Sequence, residues 1–195
     1  MYSLIEVPLF VNKDIYTFSK EEAKEYFRWF KEIKATRLQI LEDAVCRDYR
    51  HWELNYTRES LFSLYEWFIN KISYRLVTNE EEEEFKSQIS KTPLLIEAIE
   101  TPEKTFTDET VSICFDIGCY FGDTIIFNNT EARWIQKTNS KKFIDYAQPL
   151  IEINVNNVPF NPRRVIENIA RLKLDNSNKL FSFLELFDEL VPDVG

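Results

Sequence analysis

The chain has 195 residues and a net charge of −9 at neutral pH. A chain of this length usually forms one hydrophobic core, so we expect a single domain over residues 1–195, with two packed lobes of about 1–100 and 101–195 as the alternative. Because 44% of the residues are hydrophobic and 15% are aromatic, the composition excludes a disordered chain. The acidity argues against nucleic acid as a ligand, since phosphate binding depends on cationic side chains.

The sequence also bears on the cellular compartment. Its first residues lack the basic start and apolar middle of a secretory signal, and by inspection no apolar run approaches the roughly 18 residues that span a bilayer. The three cysteines, Cys46, Cys114 and Cys119, lack the spacing of a zinc or thiol-exchange motif. We therefore expect reduced cysteines in a cytoplasmic protein that binds neither metal nor membrane.

Three helices are predicted in the first half, each from a capping residue followed by apolar residues at three- and four-residue steps. They are a helix capped by Ser19 and Glu22 that ends near Val45, a helix capped by Thr57, and a helix opened by Thr78 and Glu81 that ends before Pro93.

The second half mixes helices with short strands. The predicted elements are a helix from about Asp108 to Phe127, strands in ARWIQKT and YAQPLIEINV, a helix opened by Asn161 and Pro162, and a final helix in KLFSFLELFDEL. Pro149 indicates that the second strand lies at an edge or a bulge. The fold class is therefore α+β, mostly helical, with a small antiparallel sheet in the C-terminal half.

Two glycines, Gly118 and Gly122, lie inside the helix predicted around DIGCYFGDT. Each weakens a helix by about 1 kcal/mol relative to alanine, so a packing reason is needed. Their four-residue spacing puts both on one face, where another backbone or an aromatic ring, such as those of the first two helices, can approach closely. A phosphate-binding loop would require a different pattern, and Asp123 follows the second glycine where that loop has lysine.

Acidic residues are concentrated in one region. From Leu76 to Glu131 there are thirteen acids against three lysines. The run Glu80, Glu81, Glu82, Glu83 and Glu84 begins the third helix, where the positive helix end favours carboxylates. It is either a solvated helix start or a surface that steers a cationic partner.

A second acidic row is predicted on the glycine-containing helix. Glu109, Asp116 and Asp123 are seven residues apart and share one helix face. This row is either an ordinary solvated face, a partner-binding surface, or a pair of carboxylates for acid–base chemistry. Trp29 falls outside the main apolar stripe of the first helix, so it either packs under a neighbouring segment or is an exposed interface anchor.

The residues of DIGCYFGDT, with RWIQKT, QPLI and PFNPRRVIENIA, resemble a group of small bacterial proteins that share an Asp-x-Gly-x-Tyr-aromatic-Gly-acid helix. The matching positions are Asp116, Gly118, Tyr120, Gly122 and Asp123, with Asp123 where glutamate is more usual. Some of these proteins resemble immunity proteins, which bind a toxin and catalyse nothing. The resemblance rests on packing-type residues and implies no known activity; Gly118, Gly122 and Tyr120 are expected to serve close packing.

The sequence therefore favours a non-enzymatic acidic protein, of immunity type, that binds a basic protein partner such as a toxin without a cofactor. Two alternatives stay open. One is a carboxylate enzyme, with or without a divalent cation, that uses the region around Asp116 and Asp123; the other is a self-associating scaffold. His51 is the single histidine and has no partner at metal-ligand spacing. The oligomeric state does not follow from the sequence.

Overall fold

The computed structural model describes residues 1–11, 13–90, 102–154, 158–174 and 182–191. The chain is 59% helical with two small antiparallel sheets, which confirms the predicted mostly helical α+β class. The described ranges contain these elements: α1 (Lys20–Cys46), α2 (Arg58–Lys71), β1 (Tyr74–Leu76), α3 (Asn79–Ser90), β2 (Lys104–Phe106), α4 (Asp108–Asn128), β3 (Arg133–Gln136), β4 (Pro149–Glu152), α5 (Pro162–Leu174) and α6 (Phe183–Leu190).

The predicted starts of the first three helices are confirmed. The Ser19 hydroxyl accepts from the Glu22 amide while the Glu22 carboxylate accepts from the Ser19 amide, which completes a capping box. Thr57 caps α2 through its side chain. Thr78 and Glu81 make the same reciprocal bonds at the start of α3, at 2.9 and 3.3 Å. Local hydrogen bonding therefore sets where each helix begins.

Two predicted helix boundaries lie outside the described residues. Pro93, before which α3 was expected to end, lies outside the described residues, as do residues 179–181 of the last predicted helix; α6 begins at Phe183.

The predicted strand pair is present as β3 and β4, with Pro149 at the start of a strand in a two-stranded sheet. The other sheet, β1 with β2, was not predicted, because its three-residue strands are too short to show alternation.

Helix α4 lies at the centre of the molecule, and α1, α2, α5 and α6 all pack against it. Since α1 and α2 precede residue 100 and α4 follows it, one hydrophobic core joins the two halves of the chain. This core extends from Tyr2 to Phe187. A smaller cluster around Phe18, Tyr26 and Tyr146 covers the N-terminal end of α1.

The apolar character of α4 corrects one sequence expectation. Helix α4 has 21 residues, and its most apolar 18-residue window has a mean hydropathy of 1.4, so by length and composition alone it is apolar enough to cross a membrane. The expectation, which considered uninterrupted apolar runs, overlooked this window because Asp116 and Asp123 lie within it. In the structure, 78% of its most apolar window is buried inside the protein. A central core helix has this composition because neighbouring helices cover it on every side.

The close approach predicted at the two glycines is present. A Cβ on Gly118 would lie 2.8 Å from the Cα of Arg163 in α5, and a Cβ on Gly122 would lie 2.6 Å from Cη2 of Trp134. The missing side chain of Gly118 thus lets the backbone of α5 approach, and that of Gly122 lets the Trp134 ring approach. The ring comes from β3 rather than from α1 or α2, which corrects the expected source.

The contact between Gly122 and the Trp134 ring generates a prediction. Gly122→Ala should destabilise the protein, because overpacking costs about 1–3 kcal/mol and exceeds the roughly 1 kcal/mol gained in helix propensity. In a Trp134→Phe background the same substitution should cost less, since phenylalanine lacks the atoms that the new methyl group meets. Urea unfolding of the four proteins measures this; an equal cost in both backgrounds would contradict the contact.

Candidate functional site

The centre of the molecule contains a buried ion pair between α1 and α4. The Arg37 side chain is 3% exposed and the Asp116 side chain is 0% exposed. Arg37 Nε donates to Asp116 Oδ1 at 2.8 Å, and Arg37 Nη2 donates to Oδ2 at 2.7 Å. This bidentate geometry is the strongest pairing available to a guanidinium and a carboxylate.

The other polar atoms of this pair are bonded to the N-terminal segment. Arg37 Nη2 also donates to the carbonyl of Ser3 at 2.8 Å, and Nη1 donates to the carbonyl of Leu4 at 3.1 Å. The Tyr2 hydroxyl donates to Asp116 Oδ2 in a short hydrogen bond. Among the described residues, no buried side-chain nitrogen or oxygen lacks a partner.

Burial dominates the pKa of Asp116, whereas the hydrogen bonds to Asp116 and its charge raise the pKa of Arg37 despite burial. Burial raises the pKa of Asp116 from 3.8 to about 6, although the Arg37 guanidinium and the Tyr2 hydroxyl favour the charged form. Burial and the neighbouring Asp116 carboxylate raise the pKa of Tyr2 well above its ordinary value, so the phenol keeps its proton as a hydrogen-bond donor. At neutral pH the cluster therefore contains a carboxylate, a guanidinium and a neutral phenol.

The predicted acidic row on α4 faces the interior, which corrects the expectation of a solvated or partner-binding face. Asp116 is fully buried. Asp123, 17% exposed, accepts from Lys34 Nζ at 2.6 Å and from the Trp134 indole at 2.7 Å. The row is turned inward because α1 presents Arg37 and Lys34 on the face that packs against it.

Glu109 completes the row and is also engaged. Its Oε1 accepts from the backbone amide of Tyr2 at 3.0 Å. The three carboxylates therefore bind the N-terminal segment, α1 and β3, rather than a surface open to a protein partner. Asp116 and Asp123 are engaged in separate sets of contacts.

Two aromatic candidates are structural. Trp29 is partly buried, with its ring centroid 5.5 Å from that of Tyr26 and 6.0 Å from that of Phe115, so it packs between elements and is no exposed anchor. Tyr120 is fully buried, and its hydroxyl lies 2.6 Å from Ser60 Oγ and accepts from the Tyr56 amide at 3.1 Å. Tyr120 thus fixes the entry of α2 against α4.

Within the glutamate run, Glu81 and Glu82 form ion pairs with basic side chains of the same protein. Arg75 on β1 donates to both oxygens of Glu81, at 2.7 and 2.6 Å, and Lys86 lies 2.5 Å from Glu82. The hydrogen bond from Arg75 and the amide of Thr78 lower the pKa of Glu81 to about 2. These contacts fasten the start of α3 to the β1–β2 sheet.

The remaining residues of the run, Glu80, Glu83 and Glu84, are exposed. Spacings of three and four residues put them on one face of α3. Glu80 and Glu83 take part in no ion pair with the residues that the structure describes. Of the acids proposed from the sequence, Glu80 and Glu83 are therefore exposed without an ion pair to the described residues.

In the described part of the chain, no group of three or more His, Cys, Asp or Glu side chains is placed to hold a metal ion. The three cysteines are free, as expected.

Sequence reasoning missed Arg37, Lys34 and Tyr2. A signal for Arg37 was present, because it occupies the apolar stripe of α1 between Ile33 and Leu41, where a charge requires a buried partner. Asp116 is the corresponding charge in the central helix α4, whose neighbours along the chain are mostly buried apolar residues. Tyr2 gave no signal, since it lies in a segment without periodicity.

Comparison of this chain with protein-family models, with curated proteins and with solved structures finds no match. The resemblance drawn from the DIGCYFGDT helix therefore stays a hypothesis, and functional proposals depend on the geometry above.

The raised pKa of Asp116 generates a prediction about pH. Between pH 3.8 and about 6, the Asp116 carboxyl is protonated in the folded state and ionised in the unfolded chain. The stability contributed by this proton is complete below the lower value and is lost as the pH rises through the higher one. Relative to Asp116→Asn, the wild type should gain about 1–3 kcal/mol in free energy of unfolding between about pH 7 and 4.5.

Chemical denaturation of both proteins across this pH range measures the difference. A wild type that loses stability relative to the variant on acidification would show that the folded carboxylate has a lowered pKa.

Proposed function

We propose that the chain is a non-enzymatic binding protein whose α3 helix recognises a basic surface on a protein partner. The observation that carries the proposal is the face of α3 that exposes Glu80 and Glu83, which form no ion pair with the described residues, while Glu109, Asp116 and Asp123 of α4 are bound by other parts of the chain. Like charges at these spacings repel by about 0.2–0.5 kcal/mol per pair, so a cationic partner would relieve a cost present in the free protein.

Electrostatic attraction suits a binder of this kind. A concentrated negative face accelerates association with a cationic target. It also disfavours association with acidic proteins, because like charges repel. The attachment of α3 through the fork between Arg75 and Glu81 holds this face at a fixed place on the sheet. An immunity protein that neutralises a basic toxin in the bacterial cytoplasm is the form of binder that the DIGCYFGDT resemblance suggests.

The alternatives are less well supported. An enzyme that uses Asp116 and Asp123 would need both carboxylates in one cleft, and each is committed to its own cationic partner. A scaffold that associates through surplus aromatic surface would depend on exposed rings such as Phe62 and Phe127, which are 52% and 67% exposed, while Trp52 and Trp67 are buried in the core.

Charge reversal on α3 tests the proposal. Glu80→Lys/Glu83→Lys changes the net charge from −9 to −5. We expect its association rate with a basic protein encoded beside its gene to fall by about tenfold or more at low salt, with a smaller difference at high salt. Surface plasmon resonance measures the rates.

A matched control separates the site from the overall charge. Glu131→Lys/Glu189→Lys reverses two other exposed acids and also gives a net charge of −5. This control should bind nearly as fast as the wild type. An equal loss in both double variants, or wild-type binding in the micromolar range or weaker to every basic neighbour, would overturn the proposal.

A further inference from the structure

The N-terminal residues Tyr2 to Ile5 lie as an extended segment in a groove between α1, α2 and α4. We call these four residues the strap. Its main chain makes no hydrogen bond to another backbone group among the described residues. Tyr2 is buried, whereas Ser3 and Leu4 are exposed and Ile5 is partly buried. The strap therefore behaves as a peptide bound to a surface rather than as part of a helix or sheet.

Side chains of the helices hold the strap through its backbone. Arg37 donates to two successive carbonyls, those of Ser3 and Leu4. On the other side, Ser112 Oγ accepts from the Ile5 amide at 3.0 Å, and Glu109 accepts from the Tyr2 amide at the same distance. Contacts of this type recognise an extended main chain and do not depend on its sequence.

The Tyr2 side chain supplies the specificity. Its ring centroid lies 6.3 Å from that of Trp67, and its hydroxyl binds Asp116 at the bottom of the groove. Phenylalanine would leave the carboxylate without that donor. Three residues later, Ile5 packs against the main core.

An open cleft of about 260 Å³ adjoins the Tyr2 ring. It is lined by side chains from α1, α2 and α4, including Arg47, Trp67, Lys71 and Glu109. The Tyr2 ring therefore forms part of the wall of an open cleft, while Tyr2 itself is only 8% exposed.

We propose that this groove is a peptide-recognition site and that the strap is its resident occupant. Its ligand is an extended segment of a partner protein that carries a tyrosine followed three residues later by an aliphatic residue. Arg37, Glu109 and Ser112 read the backbone of that segment, and Asp116 with Trp67 reads the tyrosine. The site is separate from the acidic face of α3, so each can be tested without the other.

The full-length Tyr2→Ala variant tests this site, because it removes the resident ring and keeps the groove. The probe is a labelled, N-acetylated peptide with the sequence MYSLIEVP, and fluorescence anisotropy measures binding. We expect the variant to bind the peptide at least about tenfold more tightly than the wild type, in which the tethered strap competes at an effective concentration on the order of millimolar. A peptide with alanine in place of tyrosine should not bind.

Tyr16→Ala is the matched control, since it removes a partly exposed tyrosine outside the groove. It should resemble the wild type. If Tyr2→Ala is unstable, added MYSLIEVP should raise its melting temperature by about 5 °C at roughly twenty times Kd. The proposal is overturned if Tyr2→Ala binds neither peptide or both equally, if an unstable variant is not stabilised, or if the protein forms dimers by exchanging straps instead of capturing the peptide.

Discussion

The ion pair between Arg37 and Asp116 is the interaction on which the rest of the structure depends. Both groups are removed from water at the contact between α1 and α4, where an unpaired charge would cost several kcal/mol. The pair is tolerated because every donor and acceptor has a partner, and some of those partners come from Ser3, Leu4 and Tyr2. One buried charge pair thus fixes α1, α4 and the N-terminal segment relative to one another.

The same helix α4 explains the rest of the packing. Its glycines allow the backbone of α5 and the ring of Trp134 to approach more closely than any side chain would permit. The Trp134 indole then binds Asp123, which also pairs with Lys34 of α1. Glu109, Asp116 and Asp123 of α4 are therefore structural, whereas Glu80 and Glu83 of α3 are exposed. This division between engaged and exposed carboxylates supports a binding role at α3 more than chemistry at α4.

Much of the fold follows from local features of the sequence. Ser19 with Glu22, and Thr78 with Glu81, mark helix starts because the residues that complete each cap are three positions apart. The need for close approach at the glycines could also be predicted, since they disfavour a helix. The Trp134 ring and the pairing of Arg37 with Asp116, 79 residues apart, could not, because periodicity gives the face of a helix and not its neighbour. For that reason the sequence left the row containing Asp116 open as a solvated face, a partner-binding surface or a pair of carboxylates for acid–base chemistry.

A double-mutant cycle on Arg37 and Asp116 tests the central claim most directly. Urea unfolding of the wild type, Arg37→Ala, Asp116→Ala and the double variant gives the coupling energy between the two side chains. Each single variant should lose about 3–5 kcal/mol, because it leaves a buried charge unpaired, and the double variant should lose clearly less than the sum. A coupling energy of about 2 kcal/mol or more is predicted, whereas additive losses within about 0.5 kcal/mol would contradict the account.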